Sequence, residues 1–114
     1  DRIDEPHPIL EYGKGYDHNF VIDAWDESMR LGASLKDPLS GRQMEVWTDQ
    51  PGIQVYTANH LNDLTGKGDV AYAPHMAFCL ETQHFPDSPN LPSFPSTVLT
   101  PGETYQTETE YRFS

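Results

Sequence analysis

The stretch “RLGASLKDPLSGRQMEVWT”, residues 30–48, decides the fold. It contains two runs of strand-forming residues, at 30–36 and 42–48, on either side of the turn sequence “DPLSG”. Pro38 fixes a backbone torsion within that turn, and Gly41 is free to take a positive φ. We therefore predict that the two runs pair as an antiparallel hairpin.

Strand patterns also occur on both sides of this hairpin. They cover residues 18–22, 53–59, 77–83 and 104–113. In the last run the odd-numbered residues share one face and charged or amide side chains share the other, which is typical of a half-exposed antiparallel strand. Irregular loops are predicted at 61–75 and 84–96, and four prolines in the second exclude a central strand and a helix. Short strands separated by Gly/Pro turns predict an all-β sandwich or barrel with minor helices.

Length and charge restrict the functions open to the chain. Its 114 residues are enough for one domain, which we place at 1–114. Seven basic and eighteen acidic residues give a net charge of −11, and the basic residues are scattered, so nucleic acid and anionic membranes are poor partners. No apolar run approaches the about 20 residues of a membrane span. The sequence therefore predicts a soluble protein, with the cytoplasm and the periplasm both open as compartments.

Metal and nucleophile chemistry have no support in the sequence. Cys79 is the only cysteine, which excludes an internal disulfide, and no Cys/His spacing indicates a zinc site. The five histidines lack the arrangement of a serine or cysteine triad, so we assign them no catalytic role. These spacings predict no metal site.

Glu81 is the first candidate for acid–base chemistry. In “AFCLETQ”, residues 77–83, strand alternation puts Phe78, Leu80 and Thr82 on one face and Glu81 with small residues on the other. A partly buried carboxylate at this place would suit a general base, whereas a solvated face would give Glu81 no such role. Burial of Glu81 decides between the two interpretations.

Asp17 and Gln50 are candidate ligand contacts. In “GKGYDHNF”, residues 13–20, Asp17 stands at the entrance to an apolar strand, either as a ligand contact or in a turn that bonds to its own backbone. In “VWTDQPGIQVY”, residues 46–56, Gln50 precedes a Pro-Gly turn, and turn chemistry is again the alternative. Four aromatic residues are able either to line a sugar-sized cleft or to pack in the core, namely Trp47, Tyr56, Phe78 and Phe85.

Four segments in series resemble the C-terminal portion of the aldose 1-epimerase, or galactose mutarotase, family. They are “GYDHNF”, “SGRQMEVWTDQPGIQVYTAN”, “FCLETQHFPDSPNLPSFPS” and “VLTPGETYQTETEYRF”, in order over residues 15–114. The resemblance implies an antiparallel β-sandwich of the galactose mutarotase type. It also implies an isomerase that interconverts the α and β anomers of an aldose such as galactose or glucose, with neither a cofactor nor a metal.

The resemblance implies roles for three residues. Glu81, in the “ETQ” motif, corresponds to the general base that removes the proton of the anomeric hydroxyl. Asp17, in “DHN”, corresponds to a residue that hydrogen-bonds the sugar hydroxyls, and Gln50, in “TDQPG”, to a further substrate contact. Deprotonation of the C1 hydroxyl with protonation of the ring oxygen opens the ring, and rotation about C1–C2 before reclosure gives the other anomer.

The general acid of the family is a histidine from a segment that precedes the matched part, and none of the five histidines here stands in its context. We therefore expect a fragment, an incomplete sandwich that supplies the base but not the acid. Its exposed sheet edges predict association with the missing N-terminal part or with itself. Two alternatives are a non-catalytic carbohydrate-binding β-sandwich module and an acidic structural domain.

Overall fold

The computed structural model describes residues 5–62 and 64–114. Residues 1–4 of the predicted segment 1–114, and position 63 of the predicted loop 61–75, lie outside the described residues. The helix and strands are α1 (Pro8–Gly13), β1 (Asp17–Val21), β2 (Arg30–Lys36), β3 (Gln43–Thr48), β4 (Gly52–Tyr56), β5 (Leu64–Thr65), β6 (Ala71–Tyr72), β7 (Cys79–Gln83) and β8 (Thr109–Phe113). Short 3₁₀ helices are present at Lys67–Asp69 and Ser88–Asn90.

The predicted hairpin is confirmed, since β2 and β3 pair antiparallel. Its turn is held by Asp37, whose N–H donates to the Arg42 carbonyl at 2.9 Å. The Asp37 carboxylate accepts hydrogen bonds from the backbone N–H groups of Leu39 at 3.0 Å and Ser40 at 3.2 Å. Gly41 has the predicted positive φ, at 76°. The turn thus satisfies its own polar groups, which fixes the register of the two strands.

β8 extends the hairpin to a three-stranded sheet of order β2–β3–β8, and it pairs antiparallel with β3. The strand predicted at 104–113 is wrong in its first half, because β8 begins at Thr109. Just before it, the Glu108 N–H donates to the Asp49 carboxylate at 3.0 Å and the Thr107 hydroxyl donates to the same carboxylate at 2.6 Å. At Thr107 and Glu108, bonds to the Asp49 carboxylate therefore accompany a backbone bond from the Asp49 N–H to the Glu108 carbonyl at 3.4 Å.

The second three-stranded sheet has the order β1–β4–β7. Thr57, just after β4, donates its N–H to the carbonyl of Tyr16, just before β1, at 3.0 Å. At the opposite ends, the N–H of Ile22 donates to the carbonyl of Pro51 at 2.9 Å. The start of β1 therefore meets the end of β4, which makes these two strands antiparallel.

The two predicted loops contain short regular elements. β5 and β6 pair antiparallel within 61–75. In the proline-rich segment 84–96, the 3₁₀ helix at Ser88–Asn90 corrects the prediction that no helix forms there. Pro89 is tolerated because it lies in the first turn of that helix, where the missing N–H has no partner to lose.

The chain divides into two compact units. Unit 1 comprises Asp1–His18 and Gln54–Glu81, and unit 2 comprises Asn19–Ile53 and Thr82–Ser114. Buried apolar residues are Leu10 and Ala58 in unit 1, and Val46 and Ile53 in unit 2. Antiparallel sheets dominate the described residues, which confirms the predicted all-β class. Within those residues, no helix has the length and apolar character needed to cross a membrane.

Asn59 fixes the chain that leads into β1. Its amide nitrogen donates to the carbonyls of Gly13 at 2.8 Å and Tyr16 at 2.9 Å, and its Oδ1 accepts from the Thr57 hydroxyl at 2.6 Å. The side chain is only 5% exposed. The predicted strand 53–59 therefore stops early, with β4 ending three residues before Asn59, because the Asn59 side chain bonds to another part of unit 1.

Asp37 is expected to make the stability of the hairpin depend on pH. The side-chain hydrogen bond with Ser40, followed by the backbone N–H groups of Leu39 and Ser40, lowers the pKa of Asp37 below its ordinary value of 3.8. Because the folded-state pKa is depressed, the stabilisation is present above the unfolded-state pKa and is lost as the pH falls through the folded-state pKa.

The check is the urea midpoint of the wild type and of Asp37→Asn, measured from neutral pH down to about pH 2. The wild type is expected to have the higher midpoint at neutral pH, and the difference is expected to close in acid. Asp23→Asn, at an exposed position outside the hairpin, is the matched control. A difference that persists unchanged at the lowest pH would contradict the role given to Asp37.

Asn59→Ala is expected to lower the free energy of unfolding by about 2 to 3 kcal/mol, because two carbonyls lose their donor in a buried setting. Chemical denaturation of the two proteins measures this change. The exposed Asn62→Ala is expected to change stability by less than about 0.5 kcal/mol. Equal effects of the two substitutions would show that the hydrogen bonds of Asn59 do not support unit 1.

Candidate functional site

Asp17 is the first residue of β1, and Gly15 shapes the approach to it. Gly15 has a φ of +138°, and a Cβ there would lie 2.3 Å from Oδ1 of Asn59, so this close approach requires glycine. The exposed Asp17 carboxylate accepts a hydrogen bond from Nε2 of Gln54 at 2.9 Å. Asp17 thus lies in a strand and bonds across to Gln54, which corrects the alternative of a self-bonded turn.

Glu81 is the middle residue of β7. Alternation follows the prediction, since Leu80 and Thr82 are half-buried while Cys79 and Glu81 are exposed. The partial burial expected of a general base is therefore wrong for this chain, because Glu81 is exposed, although Gln83 on the same face is half-buried. Glu81 and Asp17 both belong to unit 1, on the strands that flank β4. Two strand spacings correspond to about 10 Å between the axes of β1 and β7.

Gln50 lies in unit 2, two residues after the end of β3, and is only 5% exposed. Its Nε2 donates to the Tyr105 hydroxyl at 3.1 Å and to the Thr107 hydroxyl oxygen at 2.5 Å. Its Oε1 lies 2.8 Å from Nδ1 of His84. The backbone N–H of Gln50 donates to Oγ1 of Thr48 at 3.1 Å. Gln50 thus makes a local backbone bond of the kind found in turns and also takes part in a network of side-chain hydrogen bonds.

An open cleft of about 510 Å³ adjoins this network in unit 2. Its volume falls within the range of about 300 to 1,000 Å³ that is usual for small-molecule sites. Its walls include Trp25, His84 and Tyr105, together with the amide of Gln50. The ring of His84 meets the ring of Trp25 edge-on at 6.0 Å and that of Tyr105 at 6.5 Å. Aromatic walls with a few polar groups suit a sugar, which has both an apolar face and hydroxyls.

Two of the aromatic residues that the sequence offered for a cleft have other places. Trp47 lies in β3 with the guanidinium carbon of Arg112 4.3 Å from the centre of its ring. Phe85 packs edge-on against Phe94, with ring centres 5.2 Å apart. Neither Trp47 nor Phe85 is among the residues that line the cleft.

Three residues of the cleft wall were missed by sequence reasoning. Trp25 stands in “DAWDES”, residues 23–28, which has neither strand alternation nor a motif, and it is fixed by a hydrogen bond from Nε1 to the Asp49 carbonyl at 2.6 Å. Tyr105 was placed in a regular strand. His84 was given no role, although its position directly after “ETQ” was the one available signal.

Comparison with known proteins identifies the family. A family model described as aldose 1-epimerase matches residues 1–112. The chain belongs to the aldose 1-epimerase family. It is 46% identical over 101 residues to proteins named galactose mutarotase from Mus musculus and Homo sapiens. It is 36% identical over 102 residues to a protein named aldose 1-epimerase from Escherichia coli (strain K12).

These matches cover 88% of this chain in each case. The chain spans 29% of the length of the two mammalian relatives and 30% of the bacterial one. Membership of the aldose 1-epimerase family, as the serial motifs indicated, is confirmed. The roles given to Glu81, Asp17 and Gln50 stay predictions.

Thr107→Val is expected to lower the free energy of unfolding by about 1 to 2 kcal/mol, because the isosteric change removes a donor to Asp49 and an acceptor for Gln50. Chemical denaturation measures the change. The exposed Thr104, which lines the same cleft, gives the matched variant Thr104→Val, for which we expect a change of less than about 0.5 kcal/mol. A wild-type midpoint in Thr107→Val would mean that the network adds no stability.

Proposed function

We propose that this chain is part of an aldose 1-epimerase that interconverts the α and β anomers of an aldohexose such as galactose or glucose. The observation that carries the proposal is the family match over residues 1–112. The names of the two mammalian relatives give galactose as their sugar. In unit 2 a cleft of sugar-compatible size has aromatic walls and the buried amide of Gln50, whereas Glu81 and Asp17 are not among the residues that line it.

In this proposal Glu81 is the general base. The proposal rests on the family match and on the “ETQ” motif that carries Glu81, because Glu81 is exposed and burial therefore gives it no support. Glu81 takes the proton of the C1 hydroxyl while an acid protonates the ring oxygen, so that the bond from C1 to the ring oxygen breaks and an aldehyde forms. After rotation about C1–C2, the reverse proton transfers close the ring as the other anomer. The two proton transfers cancel over one cycle, so the reaction needs no further reactant.

Asp17 and Gln50 are proposed as sugar contacts. A carboxylate has about four acceptor positions, and Gln54 takes one of those on Asp17, which leaves others for sugar hydroxyls. The two N–H groups of Gln50 are used by Tyr105 and Thr107. Gln50 therefore contributes the second lone pair of Oε1 to the cleft, as an acceptor.

The acid that protonates the ring oxygen is proposed to be none of the five histidines of this chain. Three of them use Nδ1 in contacts with backbone groups of unit 1: His7 with the Ile9 N–H, His18 with the Asp17 N–H and His75 with the Thr57 carbonyl. Such contacts support structural roles for these rings. His84 is treated below as a neutral ring that accepts a hydrogen bond from a sugar hydroxyl.

The experiment follows the optical rotation of freshly dissolved α-D-galactose and α-D-glucose. It compares the 114-residue chain with a version extended towards its N-terminus, each with and without Glu81→Gln. We expect only the extended protein to accelerate mutarotation, and Glu81→Gln to reduce its kcat by about 10² to 10⁴ because proton removal from C1 is lost. Glu108→Gln, at another exposed glutamate, is the matched control and is expected to keep the wild-type rate.

Other outcomes distinguish the alternatives. If the 114 residues alone are active and depend on Glu81, one of the five histidines is the acid. If the extended protein binds these sugars saturably without accelerating mutarotation, the chain belongs to a carbohydrate-binding module instead. Wild-type activity in Glu81→Gln would remove Glu81 as the base.

A further inference from the structure

The hydrogen-bonding state of the His84 ring, in the cleft wall, is dictated by its neighbours. We infer that His84 is a further sugar-binding residue, with Nε2 of its neutral ring accepting a hydrogen bond from a hydroxyl of the aldose. The inference rests on the proposed function, since it takes the ligand of the cleft to be the sugar substrate. Gln50 then acts twice, as a contact and as the residue that sets the tautomer of His84.

The first step is the direction of the hydrogen bond at Thr107. The Asp49 carboxylate only accepts, so the bond at 2.6 Å between it and the Thr107 hydroxyl uses the single hydroxyl hydrogen of Thr107. Oγ1 of Thr107 is left with acceptor positions alone. The neighbouring group of Gln50 at 2.5 Å must therefore be the donor, which is the amide nitrogen Nε2.

The second step passes this direction to His84. Since Nε2 of Gln50 faces Thr107 and Tyr105, the amide oxygen Oε1 faces the ring of His84. An amide oxygen only accepts, so Nδ1 of His84, 2.8 Å away, carries the hydrogen. In the neutral imidazole the other nitrogen, Nε2, is then an acceptor.

The third step is access. Within residues 5–62 and 64–114, His84 Nε2 has no hydrogen-bond partner, and it is not one of the buried polar atoms that lack one, so solvent reaches it. The ring borders the cleft and is held edge-on by Trp25 and Tyr105. A positioned acceptor beside the rigid ring of Tyr105 fits a hydroxyl donor, and a sugar presents several.

The test uses the N-terminally extended protein and the variant His84→Asn. The amide nitrogen of asparagine is able to donate to Oε1 of Gln50 in the place of Nδ1, so this variant removes the Nε2 acceptor with little disturbance of the network. Isothermal titration with galactose and its 2-, 3-, 4- and 6-deoxy derivatives gives the dissociation constants. We expect His84→Asn to weaken galactose binding by about threefold to tenfold, the effect of one net hydrogen bond.

The deoxy sugars show whether the lost contact is a sugar hydroxyl. For the wild type, we expect one deoxy sugar to bind about threefold to tenfold more weakly than galactose. For His84→Asn, we expect that deoxy sugar and galactose to bind with equal affinity. His84→Phe, which keeps a ring between Trp25 and Tyr105, is expected to give the same pattern. Two results would overturn the inference. One is a loss of affinity from galactose to each deoxy sugar that is the same in the wild type and in both variants. The other is a galactose affinity that neither substitution changes.

The same measurements separate this inference from the proposed function. Suppose that the wild type accelerates mutarotation and that both variants bind galactose as tightly as the wild type does. The proposed epimerase function then stands, and His84 is not a sugar-binding residue. Saturable binding without acceleration would remove the epimerase, and the deoxy series would still decide the role of His84. If the wild type binds none of the sugars, both proposals fall.

Discussion

The arrangement of unit 2 depends on the carboxylate of Asp49. It accepts the N–H of Glu108 and the hydroxyl of Thr107, so it holds the segment that leads into β8 beside the end of β3. Nε2 of Gln50 also points to it, at 3.4 Å. One acceptor-only group thereby anchors a strand entrance and orients the amide that borders the cleft. The cleft wall is consequently built on the same bonds that start the strand.

Unit 1 solves a similar problem with an amide. Asn59 offers two donors to the carbonyls of Gly13 and Tyr16, and these residues bracket Gly15. Because Gly15 has no side chain, its backbone lies close enough to Asn59 for these bonds to form. The position at which Asp17 enters β1 follows from this contact. In both units a candidate site residue is placed by a side chain that sequence patterns did not mark.

The sequence predicted the parts of the fold that rest on local rules. The hairpin at 30–48 follows from turn residues and strand alternation, and the placement of Glu81 on the face of β7 opposite Leu80 follows from alternation. The start of β8 at Thr109 could not be read in this way, because residues 104–108 alternate like a strand while the Thr107 hydroxyl and the Glu108 N–H bond to the Asp49 carboxylate. The motifs singled out Gln50 but not the aromatic rings that share the cleft wall with it, since Trp25, His84 and Tyr105 come from separate stretches that only the folded chain brings together.

The hydrogen-bond path from Asp49 through Thr107 and Gln50 to His84 has a direction. Each member can give or receive at its contact in only one sense, and that sense is set by the member before it. A change at one end, such as an amide in place of the Asp49 carboxylate, would allow the whole path to reverse, with the Gln50 amide turned over so that its oxygen faces Thr107. Substitutions at the four positions of this path are therefore expected to occur together rather than singly.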